Sequence, residues 1–317
     1  MMDLKEFAAY VSTHLFDENP EMTENHSVEV KEITKNNGLK LTGIAITESG
    51  SHIAPQIYVN SGYELYINGD ADLDDLVRGY YNTYINSRLP EDFSIDFFSD
   101  FEQIKDRLSM KLINGEKNAS FLSEVPHYKL GDLAIIFQVL LNSNELQGSA
   151  SITVRNEHLK MWDVGVEEIF EYAKKNAAEK HPVRIQSMLE VLSEMTGELP
   201  EDMKNMEEET QMMFVLSNDI KLNAASGIIF TEKLQEFADR RGADLLILPS
   251  SVSELLLVPD TGNTNMTVSD LTNIVKEVNA TQLAPDEILS DTVYFYDRRQ
   301  KKLMFAETKE VIEPIAC

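Results

Sequence analysis

The sequence predicts an α+β protein, with mixed, largely antiparallel sheets, amphipathic helices packed on them, and two lobes. Three observations predict it. Apolar residues recur at helical spacing in several stretches and alternate, or run on briefly, in the stretches between. Turn residues separate neighbouring strand-like runs by the few positions a hairpin needs. No strand-then-helix rhythm repeats along the chain, as a doubly wound parallel sheet would require. An acidic, proline-broken stretch, 196–211, then divides the pattern as a linker would. It separates an N-terminal α+β domain, 1–195, from a C-terminal domain, 212–307, and the tail 308–317 is expected to fray.

Leu4, Phe7, Ala8, Val11 and Leu15 set the first helix. Val28 and Val30 alternate with charged residues, Asn36-Asn37-Gly38 turns the chain, and Leu39 and Leu41 resume the alternation. The apolar phase then shifts to Ile44 and Ile46 at Gly43, as at a β-bulge. A strand over 53–59 contains Pro55, which suits a sheet edge. Leu73, Leu76, Val77, Tyr80, Tyr81, Tyr84 and Ile85 give the clearest helical stripe, and tyrosines sharing it with leucine and valine read as core. A helix starting at Ser99, with Glu102 three residues on, carries Phe101, Ile104, Leu108 and Leu112. Residues 128–141 read as one long central strand and 149–154 as its partner. Two helices follow, one with Val166, Ile169, Phe170 and Ala173, the next with Ile185, Met188, Leu189, Leu192 and Met195.

The stretch 212–260 is the most legible. Strands over 213–216 and 224–230 precede a helix that Thr231 caps, that carries Leu234, Phe237 and Ala238, and that Gly242 stops. Strands over 245–248 and 255–258 are split by Pro249-Ser250-Ser251. Thr267 caps a helix bearing Val268, Leu271, Ile274, Val275 and Val278, and a hairpin over 293–296 and 303–305 closes the pattern. The predicted order of this domain is β-β-α-β-β-α-β-β.

Charge narrows the partners. Asp and Glu number 54 against 28 Lys and Arg, a formal net charge of -26. Such a surface repels phosphate backbones and anionic lipid, so neither nucleic acid nor membrane is expected as a partner. The single cysteine, Cys317, leaves no internal disulfide among these residues. No basic start with an apolar core marks a secretory signal, and no apolar run approaches the roughly 20 residues of a membrane span. A cytoplasmic location is the expectation.

Motifs that would announce chemistry are missing: no Walker loop, no Rossmann glycine fingerprint, no His-Glu-x-x-His and no Gly-x-Ser-x-Gly. Asp70, Asp72 and Asp74 match the first, third and fifth positions of an EF-hand loop, but Asp75 stands where its glycine belongs and Tyr81 where its bidentate glutamate belongs. These aspartates read as a helix start. The six histidines form no ligand-spaced pair, so no metal or cofactor is predicted. The catalytic candidates are Ser250 and Ser251, in the polar turn between two strands, with His158 or His127 as the base. Trp162 reads as a packed side chain.

Several blocks together resemble a known family. They are KNNGLKLTGI, SHIAPQIYV, FFSDFEQIKDRLSMKLIN, VPHYKLGDLAIIF, ITVRNEHLKMW and ADLLILPSSVSELLLVP, ending near LSDTVYFY. On these blocks the chain is similar to the domain-of-unknown-function family 5688 of anaerobic gut Firmicutes. The resemblance implies a bacterial, intracellular protein and brings no activity, cofactor or catalytic residue with it. A histidine often stands in that family where this chain has Ser253, and the departure weakens a catalytic reading of the turn.

The favoured function is a soluble non-catalytic protein-interaction module with an unknown protein partner. One alternative is a hydrolase using the Ser250/Ser251 turn, which requires a serine oxygen within hydrogen-bond reach of a histidine nitrogen. Another is an acidic DNA mimic, which requires carboxylates spaced like phosphates along one face.

Overall fold

Asp3 opens the first helix by a reciprocal cap: its carboxylate accepts the Glu6 amide at 2.8 Å, and Glu6 accepts the Asp3 amide at 2.9 Å. The computed structural model describes residues 2–50, 54–88, 96–141, 150–197, 212–262 and 266–315. By contact density the chain forms two units, Met1–Ser94 with Leu141–Ala150, and Ile95–Leu140 with Ser151–Cys317.

In the first unit, α1 (Leu4–His14) is followed by β1 (His26–Thr34), β2 (Lys40–Glu48) and β3 (Gln56–Tyr58), an antiparallel sheet in the order β1-β2-β3. The Asn36–Gly38 turn forms as its residues require, with Asn37 and Gly38 at φ 60 and 73. β3 lies at the edge, beside Pro55 as expected. No bulge occurs at Gly43, because the register runs unbroken from His26↔Glu48 to Thr34↔Lys40. The shift of phase has another cause: Ile44, Ala45 and Ile46 are all buried, so β2 is covered on both faces there. A β-carbon on Gly43 would lie 3.0 Å from the Ile33 Cδ1 atom. An unforeseen helix, α2 (Asn60–Asn68), buries only Gly62 and therefore shows no apolar stripe. α3 (Leu73–Ser87) starts at Asp72, whose side chain accepts the Asp75 amide at 2.8 Å. Phe7, Val11, Ile44, Ile46, Tyr80 and Tyr84 form the core of this unit, as the tyrosine stripe predicts.

The second unit departs more from expectation. α4 (Phe101–Ile104), capped by Asp100, and a 3-10 turn, Lys105–Arg107, replace the long helix expected from Ser99. Leu108 and Leu112 instead lie in β4 (Leu108–Asn114), where Leu108, Met110 and Leu112 alternate into the core. Apolar residues four apart satisfy both periods, which is why Ile104, Leu108 and Leu112 looked helical. After α5 (Ala119–Leu122), the expected 128–141 strand is broken at Gly131, at φ 63, into β5 (His127–Leu130) and β6 (Leu133–Leu141). β7 (Ala150–Thr153) pairs β6, as expected. α6 (Asn156–Trp162) and α7 (Val166–Lys180) follow; buried Asn176 on α7 donates to the Lys105 and Leu108 carbonyls and fixes the helix over β4.

β8 (Arg184–Ser187) takes the first turn of the helix expected from Ile185. α8 (Met188–Thr196) starts afterwards because Ser187 and Glu190 form a capping box. Most of the acidic linker, 198–211, lies outside the described residues. On its far side β9 (Phe214–Ser217) pairs antiparallel with β8, Ser187 opposite Phe214, so both flanks share one sheet. The strand expected over 224–230 is a buried 3-10 helix, Ala224–Ile229. Gly227 is wedged there; a β-carbon would lie 2.8 Å from Val183 and 2.9 Å from Leu216. α9 (Thr231–Arg241), ended by Gly242, β10 (Asp244–Ser251), β11 (Glu254–Asp260), α10 (Val268–Thr281), β12 (Tyr294–Asp297) and β13 (Lys302–Phe305) complete the unit. The order after 212 is thus β-α-β-β-α-β-β.

The six-stranded sheet runs β13-β12-β10-β11-β9-β8. Leu245, Ile247, Leu255, Leu257 and Tyr294 face a core shared with β4, β6, α7 and α9. Leu246, Leu248, Val258 and Phe295 face the other way, onto Leu271 and Val275 of α10. Within the described part of the tail expected to fray, 308–315, Val311 bridges Met304 and Ile312 is buried.

Candidate functional site

The serine turn joins β10 to β11, where Ser251 faces Glu254 after a register shift at Pro249. Ser250 donates its hydroxyl to the Glu254 Oε1 atom at 2.9 Å, and the Ser251 hydroxyl accepts the Ser253 amide at 3.1 Å. The Val252 amide donates to the Glu287 carbonyl, so the turn is tied down from outside as well. These are the bonds of a stabilised hairpin end.

The two candidate bases are engaged elsewhere. His158 accepts the Arg155 amide on Nδ1 at 3.0 Å and packs edge-on against Phe98, with Trp162 beside it. Burial lowers its pKa, opposed by the Glu157 charge and assisted by Arg155. Trp162 itself is buried and donates to the Phe98 carbonyl at 2.7 Å. His127 Nδ1 donates to the Val125 carbonyl at 3.0 Å. Among the described residues, neither serine is hydrogen-bonded to a histidine, so the pairing a serine hydrolase needs is not assembled.

Other polar clusters are internally satisfied. Asp132, in the β5–β6 turn, accepts from Ser290 at 2.5 Å and from Tyr294 at 2.7 Å. Burial, and then the Asp132 charge, push the Tyr294 pKa well above its usual value. A cleft of about 120 Å³ in the first unit is lined by Tyr10, His14, Asp17, Asp74, Arg78 and Tyr81 among others. It is well below the roughly 300 Å³ at which small-molecule sites begin. His14 pairs with Asp17 at 2.6 Å, and Arg78 with Asp75 at 3.0 Å and Glu18 at 3.5 Å. Among the described residues no group of three or more His, Cys, Asp or Glu could hold a metal ion. No helix among them is long and apolar enough to cross a membrane.

What remains is a surface. α8 buries none of its residues, whereas α7, α9 and α10 each bury at least three. Met188, Leu192 and Met195 recur at i, i+4 and i+7 on one stripe. Leu192 is 40% exposed and Met195 71%. The polar side of the helix is the engaged one: Glu190 caps Ser187, and Glu194 accepts from Gln186 of β8 at 2.7 Å. Met212 and Met213, entering β9, are also exposed, and the Met188 amide donates to the Met213 carbonyl at 3.1 Å. Sequence periodicity marks this stripe as the apolar side of a helix and does not say whether anything covers it. The signal against a core assignment is that the stripe runs straight into a strongly acidic stretch.

Over residues 4–298 the chain matches the family described as "Family of unknown function (DUF5688)". No curated protein and no solved structure matches it.

Proposed function

The chain belongs to DUF5688, a family of unknown function, and on that footing we propose that it is a non-catalytic protein-interaction module acting in a bacterial cytoplasm. The observation that carries the reading is the exposed apolar side of α8, where Leu192 and Met195 are accessible. An amphipathic helix is stable in a folded chain because its apolar stripe is covered. Among the described residues Leu192 and Met195 are left exposed on this stripe, and exposed apolar surface on one helix face marks a contact site. The hydrolase alternative draws no support from the serine turn, where Ser250 donates to Glu254. Neither nucleic acid nor an anionic membrane suits a chain of net charge -26.

A photo-crosslinking residue in place of Met195 tests the reading in cells of the source bacterium. Light should join this position, and not a control at exposed Lys233, to one protein identified by mass spectrometry. Identical adducts from both positions, or none at Met195, would overturn the proposal.

A further inference from the structure

We infer that His26 is a proton-operated latch of the first unit: protonation turns its Nε2 atom from an acceptor into a donor to Glu48, and joins β1, β2 and the end of α3 in one ion network. No residue of α8 takes part. His26 opens β1, and its Nδ1 atom lies 2.8 Å from the Met22 carbonyl. A carbonyl only accepts, so Nδ1 carries the hydrogen and the neutral ring keeps a lone pair on Nε2. The side chain is 3% exposed, and among the described residues Nε2 has no hydrogen-bond partner. Buried polar atoms are nearly always satisfied, so this exception has a cause.

The cause is the group across the strand pair. His26 stands opposite Glu48, whose Oε2 atom is 3.9 Å from Nε2. Two acceptors meet there with no hydrogen between them, and they stay beyond bonding distance. A proton on Nε2 supplies the hydrogen. A charge-assisted bond of about 2.7–2.9 Å then needs the carboxylate to approach by only about 1 Å. Glu48 is already held at 3.1 and 3.3 Å by Arg88, the residue that ends α3. A carboxylate has about four lone-pair sites, so it can keep Arg88 and accept His26 as well.

Charge reaches the ring from β2 through Glu48 and from the end of α3 through Arg88. Arg88 opposes a positive ring, and the carboxylate that both contact offsets this. Phe16 and Tyr84 flank the ring at 5.4 and 5.7 Å, and burial raises the Tyr84 pKa, so that hydroxyl stays neutral. A metal ion in the gap would need further ligands, and among the described residues no group of three or more His, Cys, Asp or Glu could supply them. Burial works against a charged ring, and the bond to Glu48 has to outweigh it.

The test uses the full chain with nitrogen-labelled histidine rings, followed by NMR on either side of the ordinary histidine value of about 6.5. Nδ1 should carry a proton throughout and Nε2 only on the acid side, while through-space contacts from the ring to Phe16 and Tyr84 persist. A double-mutant cycle of His26→Asn and Glu48→Gln reads the latch itself. Asparagine keeps a donor for the Met22 carbonyl, and the loss of the Glu48 charge to Arg88 cancels within the cycle. Denaturant unfolding of the first unit is followed through the methyl signals of Val11 and Ile46. As a ratio of unfolding constants, the His26–Glu48 coupling should be about one on the alkaline side and about tenfold on the acid side. His158 titrates in all four proteins and cancels. Equal coupling on both sides overturns the inference. So does loss of the Phe16 and Tyr84 contacts as Nε2 takes its proton, which would mean that the ring leaves its site. An Nε2 that stays unprotonated as far into acid as the unit remains folded overturns it likewise. The ring titration needs no substitution, so it decides the matter where a variant does not fold.

Discussion

The hydroxyl of Tyr80, on α3, fills the space that a side chain on Gly62, in α2, would need. A β-carbon at position 62 would lie 1.9 Å from that oxygen and 2.9 Å from Cζ. The close approach lets the hydroxyl reach the Val59 carbonyl at 3.2 Å, and burial pushes the tyrosine pKa up to about 12. Gly62 is therefore a packing requirement inside a helix, where glycine is otherwise unfavourable.

Gly62→Ala sets two effects against each other. Alanine gains about 1 kcal/mol of helix propensity, while overpacking against a buried ring costs about 1–3 kcal/mol. The rigid tyrosine cannot move a full ångström away, so sterics should win and denaturant unfolding should shift to lower concentration. Adding Tyr80→Phe removes the nearest contact but keeps the Cζ contact and loses the hydrogen bond, so rescue should be partial. A Gly62→Ala protein as stable as the parent would show that the two helices are spaced differently.

His158 gives the fold an acid sensitivity. Its folded pKa lies below the ordinary value of 6.5, with burial the first cause. Above 6.5 the ring is neutral in both folded and unfolded chains, and its contribution is fully present. As pH falls, the unfolded chain takes up the proton first, so stability is lost progressively until the folded pKa is passed. Protonation also removes the Nδ1 lone pair that holds the Arg155 amide. Denaturant midpoints at neutral and mildly acidic pH should therefore separate more for the parent than for His158→Gln, with the ring titrating below 6.5 by NMR. The reverse ordering of the two proteins would refute the assignment.

The sequence was most legible where one period fitted alone. The tyrosine stripe of α3, the Asp72 and Thr267 caps, the Gly242 stop and the Asn36–Gly38 turn each stand as their residues predict. Ambiguity entered where two periods fitted the same apolar residues, as at Ile104, Leu108 and Leu112, or where an apolar run was long enough to hide a turn, as at Gly131. Ala224–Ile229 failed for a third reason: a fully buried segment has no exposed face, so neither period is visible. The same limit applies to function. Serine and histidine side chains announce chemistry only through their partners, and Ser250 and His158 are claimed by Glu254 and the Arg155 amide, both within four residues in sequence. The α8 stripe was legible as apolar, but exposure depends on what the rest of the chain covers.

Asp132 is a structural anchor on the same logic. Tyr294 is almost fully buried and donates to Asp132 Oδ1, while Ser290 donates to Oδ2. Asp132→Ala takes the charged acceptor from the buried tyrosine hydroxyl and leaves it Ser290 as side-chain partner, a loss that should cost about 1–3 kcal/mol. Tyr294→Phe in the Asp132→Ala background should then cost little, giving a coupling of about 1–3 kcal/mol in a double-mutant cycle. Strict additivity of the two substitutions would mean that the hydrogen bond contributes nothing.

The chain beyond β13 should stabilise the second unit rather than trail from it. The Phe305 amide donates to Glu310 at 3.0 Å, the Ile312 amide donates to Leu303 at 2.9 Å, and Val311 bridges Met304. Ile312 is only 5% exposed, and it stands over Gly131, where a β-carbon would lie 3.2 Å from its Cδ1 atom and 2.8 Å from Phe305 Cζ. Ile312 thus packs on the turn that separates β5 from β6. Ile312→Ala removes a buried side chain whose surroundings include the rigid turn, so the cavity should close poorly and the cost should fall at about 2–4 kcal/mol. Ending the chain after residue 307 removes the side chain and the added hydrogen bonds together, and should lower the unfolding midpoint further than Ile312→Ala does. Hydrogen exchange separates the two contributions: amides of β13 should lose protection in the shortened chain and largely keep it in Ile312→Ala. Unchanged β13 protection in the shortened chain would show that the tail contributes no hydrogen bonds that matter to the sheet edge.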